Sequence, residues 1–159
     1  NSVFNGSFWQ MAWNLMYFHV KGAYMTNQSI SPTVFPTTQI SRILVVEDEP
    51  TLSVVVCEFL RIMNFEVTCA GNGVEALDRM CLNKFDLVIT DVMMPKMGGL
   101  ELIQNIRKVK PFLPIIAVTG SDYDAALELQ DEFTKAIRKP YAFDTLLSRI
   151  YQFEIVYSD

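Results

Sequence analysis

From Ser41 onward, the sequence predicts an α/β fold in which a parallel sheet is covered by helices on both faces. Two patterns alternate along this part of the chain. Short runs of β-branched and apolar residues are typical of buried parallel strands. The longer segments between and after them repeat apolar residues every three or four positions, as amphipathic helices do. Repeated strand–helix units bring each strand back in the same direction, which predicts a parallel sheet.

The strand predictions rest on composition. Residues 85–90 show the pattern most clearly, because Asp91 and a segment rich in Pro and Gly follow this apolar run. An apolar run with such a boundary is expected to be a strand buried on both faces. The predicted strands are residues 42–47, 66–70, 85–90, 115–119 and 134–138.

The helix predictions rest on periodicity. In the first helix, Pro50 suits the first turn, where the missing N–H is not needed. The residues of its apolar face are Leu52, Val55, Val56, Phe59, Leu60 and Met63. The predicted helices are approximately residues 50–63, 73–82, 100–108, 122–132 and 143–151.

Residues 1–39 do not continue this pattern, and we expect the folded domain to span residues 40–155. Lys21 is the one charged side chain in residues 1–40, and residues 31–38 contain two prolines, as an extended linker would. Upstream lies an aromatic cluster. It is either a hydrophobic arm that packs on a domain or partner, or non-native sequence preceding a true start at Met25. Its members are Phe8, Trp9, Trp13, Met16, Tyr17 and Phe18.

Composition excludes several classes of function. The formal net charge of −5 argues against direct nucleic-acid binding, which needs a clustered basic surface. No stretch has the roughly 20 apolar residues of a membrane span. Cys57, Cys69 and Cys81 lack metal-ligand spacing, so we expect buried, reduced thiols in a cytoplasmic protein.

Polar groups with a common chemistry lie just past four of the predicted strands. Glu47 and Asp48 come at the end of the first strand, Asp91 after the third, Thr119 at the end of the fourth and Lys139 after the fifth. A parallel sheet gathers these positions along one edge. Neighbouring carboxylates repel each other unless a cation lies among them, and oxygen ligands without His or Cys indicate Mg²⁺. With a hydroxyl and an ammonium group opposite, this set suits phosphoryl transfer to Asp91 as nucleophile.

Each of these residues also has a structural explanation, and Asp91 taken alone could form a turn or cap a helix. Glu47 and Asp48 could cap the helix that begins near Pro50. Thr119 could belong to an ordinary strand exit, and Lys139 could be a surface lysine. The coincidence of all these groups at one sheet edge favours a functional site.

At this point the chain, from about residue 40 to residue 153, resembles the receiver domain of two-component response regulators. The matching segments are ILVVEDEP, DLVITDVMMPKMGGLEL, IIAVTG and KPY, in the family's order and approximate spacing. The resemblance implies a flavodoxin-like, doubly wound fold with five parallel strands in the order 2-1-3-4-5.

The resemblance also implies roles for individual residues. Asp91 would accept a phosphoryl group from a histidine kinase or histidine phosphotransfer protein. Glu47, Asp48 and Asp91 would bind Mg²⁺ with the backbone carbonyl of Met93. Thr119 and Lys139 would contact the phosphoryl oxygens.

Two further positions have structural roles in this interpretation. Pro140 would follow a cis peptide bond that aims the preceding lysine. Gly99, with Gly98, would end the loop after the acceptor and admit a tight turn before the next helix.

Two positions depart from the family pattern, and two others bear on the lifetime of the phosphorylated state. The acidic pair begins with Glu47, where Asp is more frequent, so its longer side chain would reach the metal through water. Ala136 occupies the switch position, where the family usually has Tyr or Phe, and Phe133 is a candidate substitute for the missing ring. Met93 and Ser121, two residues after the acceptor and after Thr119, do not readily orient a hydrolytic water, which predicts slow self-dephosphorylation.

The predicted function is therefore a cytoplasmic phosphoacceptor domain that catalyses only its own phosphorylation and dephosphorylation. It would control a downstream protein or a fused effector domain, as a monomer or a homodimer. Two alternatives are an aspartyl-phosphate hydrolase of the haloacid dehalogenase type and a degenerate receiver that acts only by binding. The hydrolase class expects an acidic residue where Met93 stands.

Overall fold

In a computed structural model, the described residues are 40–121 and 123–156, without the side chains of 154–156. The predicted arm and linker of residues 1–39 lie outside this part of the chain. Strands and helices alternate through all of the described region. The strands are β1 (Arg42–Val46), β2 (Glu66–Ala70), β3 (Leu87–Asp91), β4 (Ile115–Thr119) and β5 (Thr134–Arg138).

The strands form one sheet in the order β2-β1-β3-β4-β5, and every neighbouring pair is parallel. The predicted fold class and strand order are confirmed. The inner strands β1, β3 and β4 are almost entirely buried, as expected for apolar strands covered on both faces. The helices are α1 (Pro50–Ile62), α2 (Gly73–Leu82), α3 (Gly99–Val109), α4 (Tyr123–Glu128) and α5 (Phe143–Val156).

The two faces of the sheet have separate hydrophobic packing. On one face, Leu44 and Val46 of β1 join a buried cluster that includes Leu102 of α3 and Ala126 of α4. Because side chains alternate along a strand, Ile43 and Val45 point to the opposite face, where they are also buried. On that second face, the ring of Phe59 in α1 stacks on Phe143 of α5, with centroids 4.1 Å apart.

The fourth helix is shorter than its apolar pattern predicts. It ends at Glu128, whereas the sequence predicts a helix to residue 132. The N–H groups of Leu129 and Gln130 donate to carbonyls three residues earlier, which tightens the last turn. Asp131 then turns the chain toward β5, because its side chain accepts from the N–H of Phe133 and its N–H donates to the Thr134 carbonyl.

The prediction of three buried, reduced cysteines is wrong in two respects. Cys57 and Cys69 are joined as a disulfide between α1 and β2, with Cα atoms 7.0 Å apart. Cys81 is a thiol, but it is exposed near the end of α2. Cys57 itself is fully buried, as expected.

Within the described ranges, no helix combines the length and the apolar character needed to cross a membrane.

Candidate functional site

The polar residues predicted from the sequence meet at the carboxyl edge of the sheet. Glu47 and Asp48 follow β1, Asp91 is the last residue of β3, and Thr119 is the last residue of β4. Lys139 follows β5 directly. Since β1, β3, β4 and β5 are neighbours in the sheet, their ends lie side by side. The strand order therefore brings residues that are far apart in sequence into one site.

Three carboxylates converge at this edge. One oxygen from each of Glu47, Asp48 and Asp91 lies within 4.8 Å of the other two. Glu47 is buried and Asp48 is exposed, so the cluster spans the boundary between the protein interior and solvent. Negative groups this close repel each other unless a cation offsets their charge.

Lys139 supplies a positive charge inside this cluster. Its Nζ lies 2.5 Å from Oδ2 of Asp91 and 3.1 Å from Oε2 of Glu47. Its backbone N–H donates to the Thr119 carbonyl at 2.8 Å, and the Lys139–Pro140 peptide bond is cis. The lysine is thus attached to β4 through its backbone and to both acidic strand ends through its side chain.

Burial and ion pairing act in opposite directions on these groups. Burial raises the pKa of Glu47 above its ordinary value, although the hydrogen bond and charge of Lys139 oppose the rise. For Lys139, burial lowers the pKa, but the hydrogen bonds and the negative charges of Asp91 and Glu47 together outweigh it, so the pKa is raised overall. The ammonium group therefore stays charged at neutral pH.

The helix cap after β1 is Glu49, not Glu47 or Asp48. The Glu49 carboxylate accepts from the N–H groups of Thr51 and Leu52 at 3.0 and 2.5 Å. These hydrogen bonds hold its pKa below the ordinary value. Because the next residue supplies the cap, the alternative that the acidic pair caps α1 is wrong, and the two carboxylates are part of the cluster with Asp91.

The loop after β3 holds Asp91 by backbone contacts. The N–H of Met93 donates to Oδ1 of Asp91 at 3.0 Å, which orients the carboxylate. Gly99 is required by close approach, because a Cβ there would overlap the carbonyl group of Asp91. We expected backbone freedom to explain this glycine, but none of the described glycines has a positive φ. This close contact limits the residue at position 99 and acts directly on the backbone of Asp91.

The switch position lies within β5, whereas its suggested substitute precedes the strand. Ala136 is buried in the middle of the strand and is paired in register with Ala117. Phe133 precedes the start of β5, where its ring meets Phe112 edge to face at 5.3 Å. That end of a parallel strand lies away from the carboxyl edge, so Phe133 does not take the place of a ring beside Ala136.

Sequence reasoning missed a ring beside β5. Tyr123 of α4 packs, partly buried, against the cluster that contains Ala136. The guanidinium carbon of Arg138 lies 5.4 Å from the centre of this ring, within cation–π range. Arg138 is in turn the register partner of Thr119. Sequence periodicity places Tyr123 on a helix, but the strand register is needed to place it beside β5.

Tyr141 ends the matching KPY segment, but no role for it was predicted from the sequence. It lies two positions after Lys139 and is half-buried. Burial raises the pKa of its hydroxyl, and the charges of Lys139, Glu47 and Asp91 all act on it. The phenol is therefore a neutral neighbour of the charged cluster.

Comparison with known proteins agrees with this geometry. Residues 43–151 match the family model described as the response regulator receiver domain. The chain is 36% identical over 117 residues to the transcriptional regulatory protein CrdR of Helicobacter pylori, covering 70% of this chain and 54% of that protein. It is 36% identical over 112 residues to a CpxR homolog, also a transcriptional regulatory protein, of Haemophilus influenzae, covering 69% and 48%. The chain thus spans about half the length of the curated relatives it matches.

Comparison with solved structures also identifies response regulators and their receiver domains as similar proteins. The response regulator TrrA of Thermotoga maritima, solved in complex with Mg²⁺ and BeF, is 35% identical with a TM-score of 0.64. The match covers 72% of this chain and 99% of that one. A receiver domain protein of Clostridium thermocellum is 30% identical with a TM-score of 0.66, and the match covers 74% and 97%.

These matches give no support to the hydrolase alternative. The domain is a phosphoacceptor signalling module of two-component systems. The chain belongs to the response regulator receiver domain family.

Proposed function

We propose that Asp91 is the phosphoryl acceptor of this receiver and that a phosphohistidine is its donor. The observation that carries the proposal is the position of the Asp91 carboxylate, which Lys139 contacts at 2.5 Å and the carboxylates of Glu47 and Asp48 flank. An Asp91 oxygen attacks phosphorus while the bond from phosphorus to the donor imidazole nitrogen breaks. The imidazole leaves with the electron pair and takes up a proton.

Glu47, Asp48 and Asp91 are the residues that would hold Mg²⁺, together with the backbone carbonyl of Met93. Their fit rests on the donor set, which offers carboxylate oxygens within 4.8 Å of one another and no soft ligand. When bound, the ion neutralises charge on the transferring phosphoryl group. Without such a cation, the buried carboxylate of Glu47 depends on Lys139 for charge balance.

Lys139 and Thr119 supply the remaining contacts to the transferred group. Lys139 pairs with Asp91 at the acceptor oxygen, so its ammonium group is placed to hold the negative charge that arrives there. Thr119 ends the neighbouring strand and is fully buried, with its carbonyl fixed by the Lys139 N–H. Its hydroxyl is proposed to donate to a phosphoryl oxygen.

The phosphorylated form is proposed to decay slowly by self-catalysed hydrolysis. The exposed side chain next to the acceptor is Met93, which has no group that orients water. Ser121, two residues after Thr119, is also exposed and does not readily orient a water. A partner phosphatase or reverse transfer to a histidine would then set the lifetime of the signal.

The proposed partners follow from the family and from the curated relatives. A histidine kinase or histidine phosphotransfer protein supplies the phosphoryl group, and a downstream protein or a fused effector domain receives the conformational signal. A homodimer is one form in which the signal can be read. We place the protein in the cytoplasm. We assign no nucleic-acid contact to this domain, because the chain has a net charge of −5.

The proposal is tested with acetyl phosphate as a small phosphoryl donor. Wild-type protein with Mg²⁺ is expected to gain the mass of one phosphoryl group, whereas Asp91→Asn gains none and EDTA abolishes the gain. Asp78→Asn, which removes an exposed carboxylate on α2, is the matched control and is expected to behave as wild type. Intact-protein mass spectrometry measures all four samples.

The outcome that contradicts the proposal is a wild-type protein that stays unmodified while folded, or an Asp91→Asn variant that is modified equally. Steady turnover of phosphate monoesters would instead favour a hydrolase.

A further inference from the structure

Cys57 and Cys69 form a pair that the phosphoacceptor function does not use. Cys57 lies on the buried face of α1, and Cys69 lies on β2, which is an edge strand of the sheet. Their Cα atoms are 7.0 Å apart. That is the upper limit of the separation that a disulfide spans without backbone movement. Helix packing on the sheet therefore brings two thiols within reach of each other.

The two cysteines have different surroundings. Cys57 is fully buried, while Cys69 is half-buried and reachable from solvent. The guanidinium of Arg61, one turn after Cys57 on α1, contacts the sulfur of Cys69 at 3.8 Å. The same side chain is held in place by Glu58 and by the Val67 carbonyl at 3.1 Å. A fixed positive charge beside a thiol favours the reactive thiolate.

We propose that Cys57 and Cys69 are a thiol–disulfide exchange site that reacts with small disulfides such as glutathione disulfide. The Cys69 thiolate attacks one sulfur of the small disulfide, whose S–S bond breaks and releases one thiolate that is then protonated. Cys57 loses its proton and attacks the Cys69 sulfur of the mixed disulfide, which releases the second thiol. One small disulfide is thereby reduced to two thiols, and the two cysteines are oxidised to one disulfide.

The order of attack follows from exposure. Cys69 meets the small disulfide first because solvent reaches it, and Cys57 resolves the mixed disulfide from beneath because it is buried. The product fastens the edge strand β2 to α1. A cross-link between residues separated by 12 positions restricts the unfolded chain, so the oxidised form is expected to melt at a higher temperature.

The first test compares cysteine states in mixtures of reduced and oxidised glutathione. Full-length protein is equilibrated, alkylated and mapped by peptide mass spectrometry. We expect an intramolecular Cys57–Cys69 disulfide to form in oxidising mixtures and to be lost in reducing ones, with a higher Tm in the oxidised sample. Cys81, exposed on α2, is the internal control and is expected to carry at most a glutathione adduct. Adducts on Cys81 without a Cys57–Cys69 bond would overturn the proposal.

Single variants separate the two roles. Cys57→Ala is expected to stop at a glutathione adduct on Cys69, and Cys69→Ala is expected to leave Cys57 unmodified. The opposite pattern would overturn the assigned order. Because the buried alanine can lower stability, circular dichroism verifies folding, and Cys69→Ala tests the order without altering a buried position.

The role of Arg61 is tested by rate. Arg61→Gln is expected to slow formation of the mixed disulfide by about threefold or more, since it removes the charge that favours the thiolate. Arg61→Lys keeps the charge and is expected to restore much of the rate. Equal rates in Arg61→Gln and wild type would show that the guanidinium does not activate Cys69. Phosphorylation of Asp91 is independent of all these outcomes.

Discussion

At the scale of single residues, the net charge of the site depends on Lys139. Its ammonium group contacts both Asp91 and Glu47, where the proposed Mg²⁺ ligands converge. It is therefore a counter-ion to these carboxylates, and its positive charge opposes the binding of a metal cation beside them. Removing it leaves the carboxylate cluster with one positive charge less.

We predict that Lys139→Met binds Mg²⁺ about five- to tenfold more tightly than wild type, because loss of one neighbouring charge is worth at least about 1 kcal/mol. Titration calorimetry measures the affinity. Lys84→Met, at an exposed position in the loop before β3, is the control and is expected to leave the affinity unchanged. Weaker binding by Lys139→Met would show that the lysine assists the metal instead of competing with it.

Two glycines at this sheet edge are expected to respond differently to the same substitution. A Cβ at Gly99 would overlap the carbonyl group of Asp91, whereas a Cβ at Gly120 meets its nearest atom, Cβ of Lys139, at 4.0 Å. We predict that Gly99→Ala lowers the free energy of unfolding by about 2 kcal/mol or more, while Gly120→Ala changes it by less than about 1 kcal/mol. Denaturant unfolding measures both, and similar losses would contradict the packing argument.

At the scale of elements, one side chain connects the starts of β1 and β3 through hydrogen bonds and an ion pair. The carboxylate of Asp86, just before β3, accepts from the N–H groups of Ser41 and Arg42 at 3.2 and 2.9 Å. Its second oxygen pairs with the Arg42 guanidinium at 2.9 Å. Burial acts to raise the pKa of Asp86, but the hydrogen bonds from Arg42 and Ser41 together outweigh it and lower the pKa.

A carboxyl with a lowered pKa in the folded state stabilises the protein above its unfolded-state pKa, and this stabilisation is lost as pH falls toward the folded-state value. We therefore predict that Asp86→Asn lowers the free energy of unfolding by about 1 kcal/mol at pH 7. The difference from wild type should shrink below about pH 4. Unfolding curves at several pH values test this, and a difference that does not change with pH would contradict it.

The elements also mark the limits of the sequence predictions. The alternation of apolar runs with segments of helical periodicity was sufficient to predict the parallel sheet, because each pattern can be recognised within a short stretch of sequence. The predicted end of α4 was wrong because Asp131 forms hydrogen bonds with Phe133 and Thr134 that turn the chain toward β5. The spacing of apolar residues does not reveal such bonds. The sequence left open that Glu47 and Asp48 cap α1, since Glu47, Asp48 and Glu49 are all acidic, and only the structure shows that Glu49 supplies the cap.

At the scale of the whole molecule, the site is a product of strand order. The acidic, hydroxyl and lysine groups could be predicted because parallel strands gather their carboxyl ends, and the structure brings them together. The proximity of Tyr123 to Arg138 and of Cys57 to Cys69 could not be predicted, because these contacts depend on how helices pack on the sheet.

The lifetime of the phosphorylated protein is a property of this whole arrangement. We predict a half-life of the acyl phosphate longer than a few seconds, since Met93 and Ser121 do not readily orient water. Met93→Asn, which adds an amide next to the acceptor, is expected to shorten the half-life by about tenfold or more. Release of inorganic phosphate after donor removal measures it. Decay of wild type within a few seconds would contradict the prediction.

The central claim is that Asp91 carries the phosphoryl group, and the most direct measurement maps that group to a residue. Protein phosphorylated with acetyl phosphate and Mg²⁺ is reduced with borohydride, which converts an aspartyl phosphate to homoserine, and is then analysed by peptide mass spectrometry. We predict homoserine at position 91. Reduction at Glu47 or Asp48, or no reduced residue in protein that remains folded, would contradict the claim.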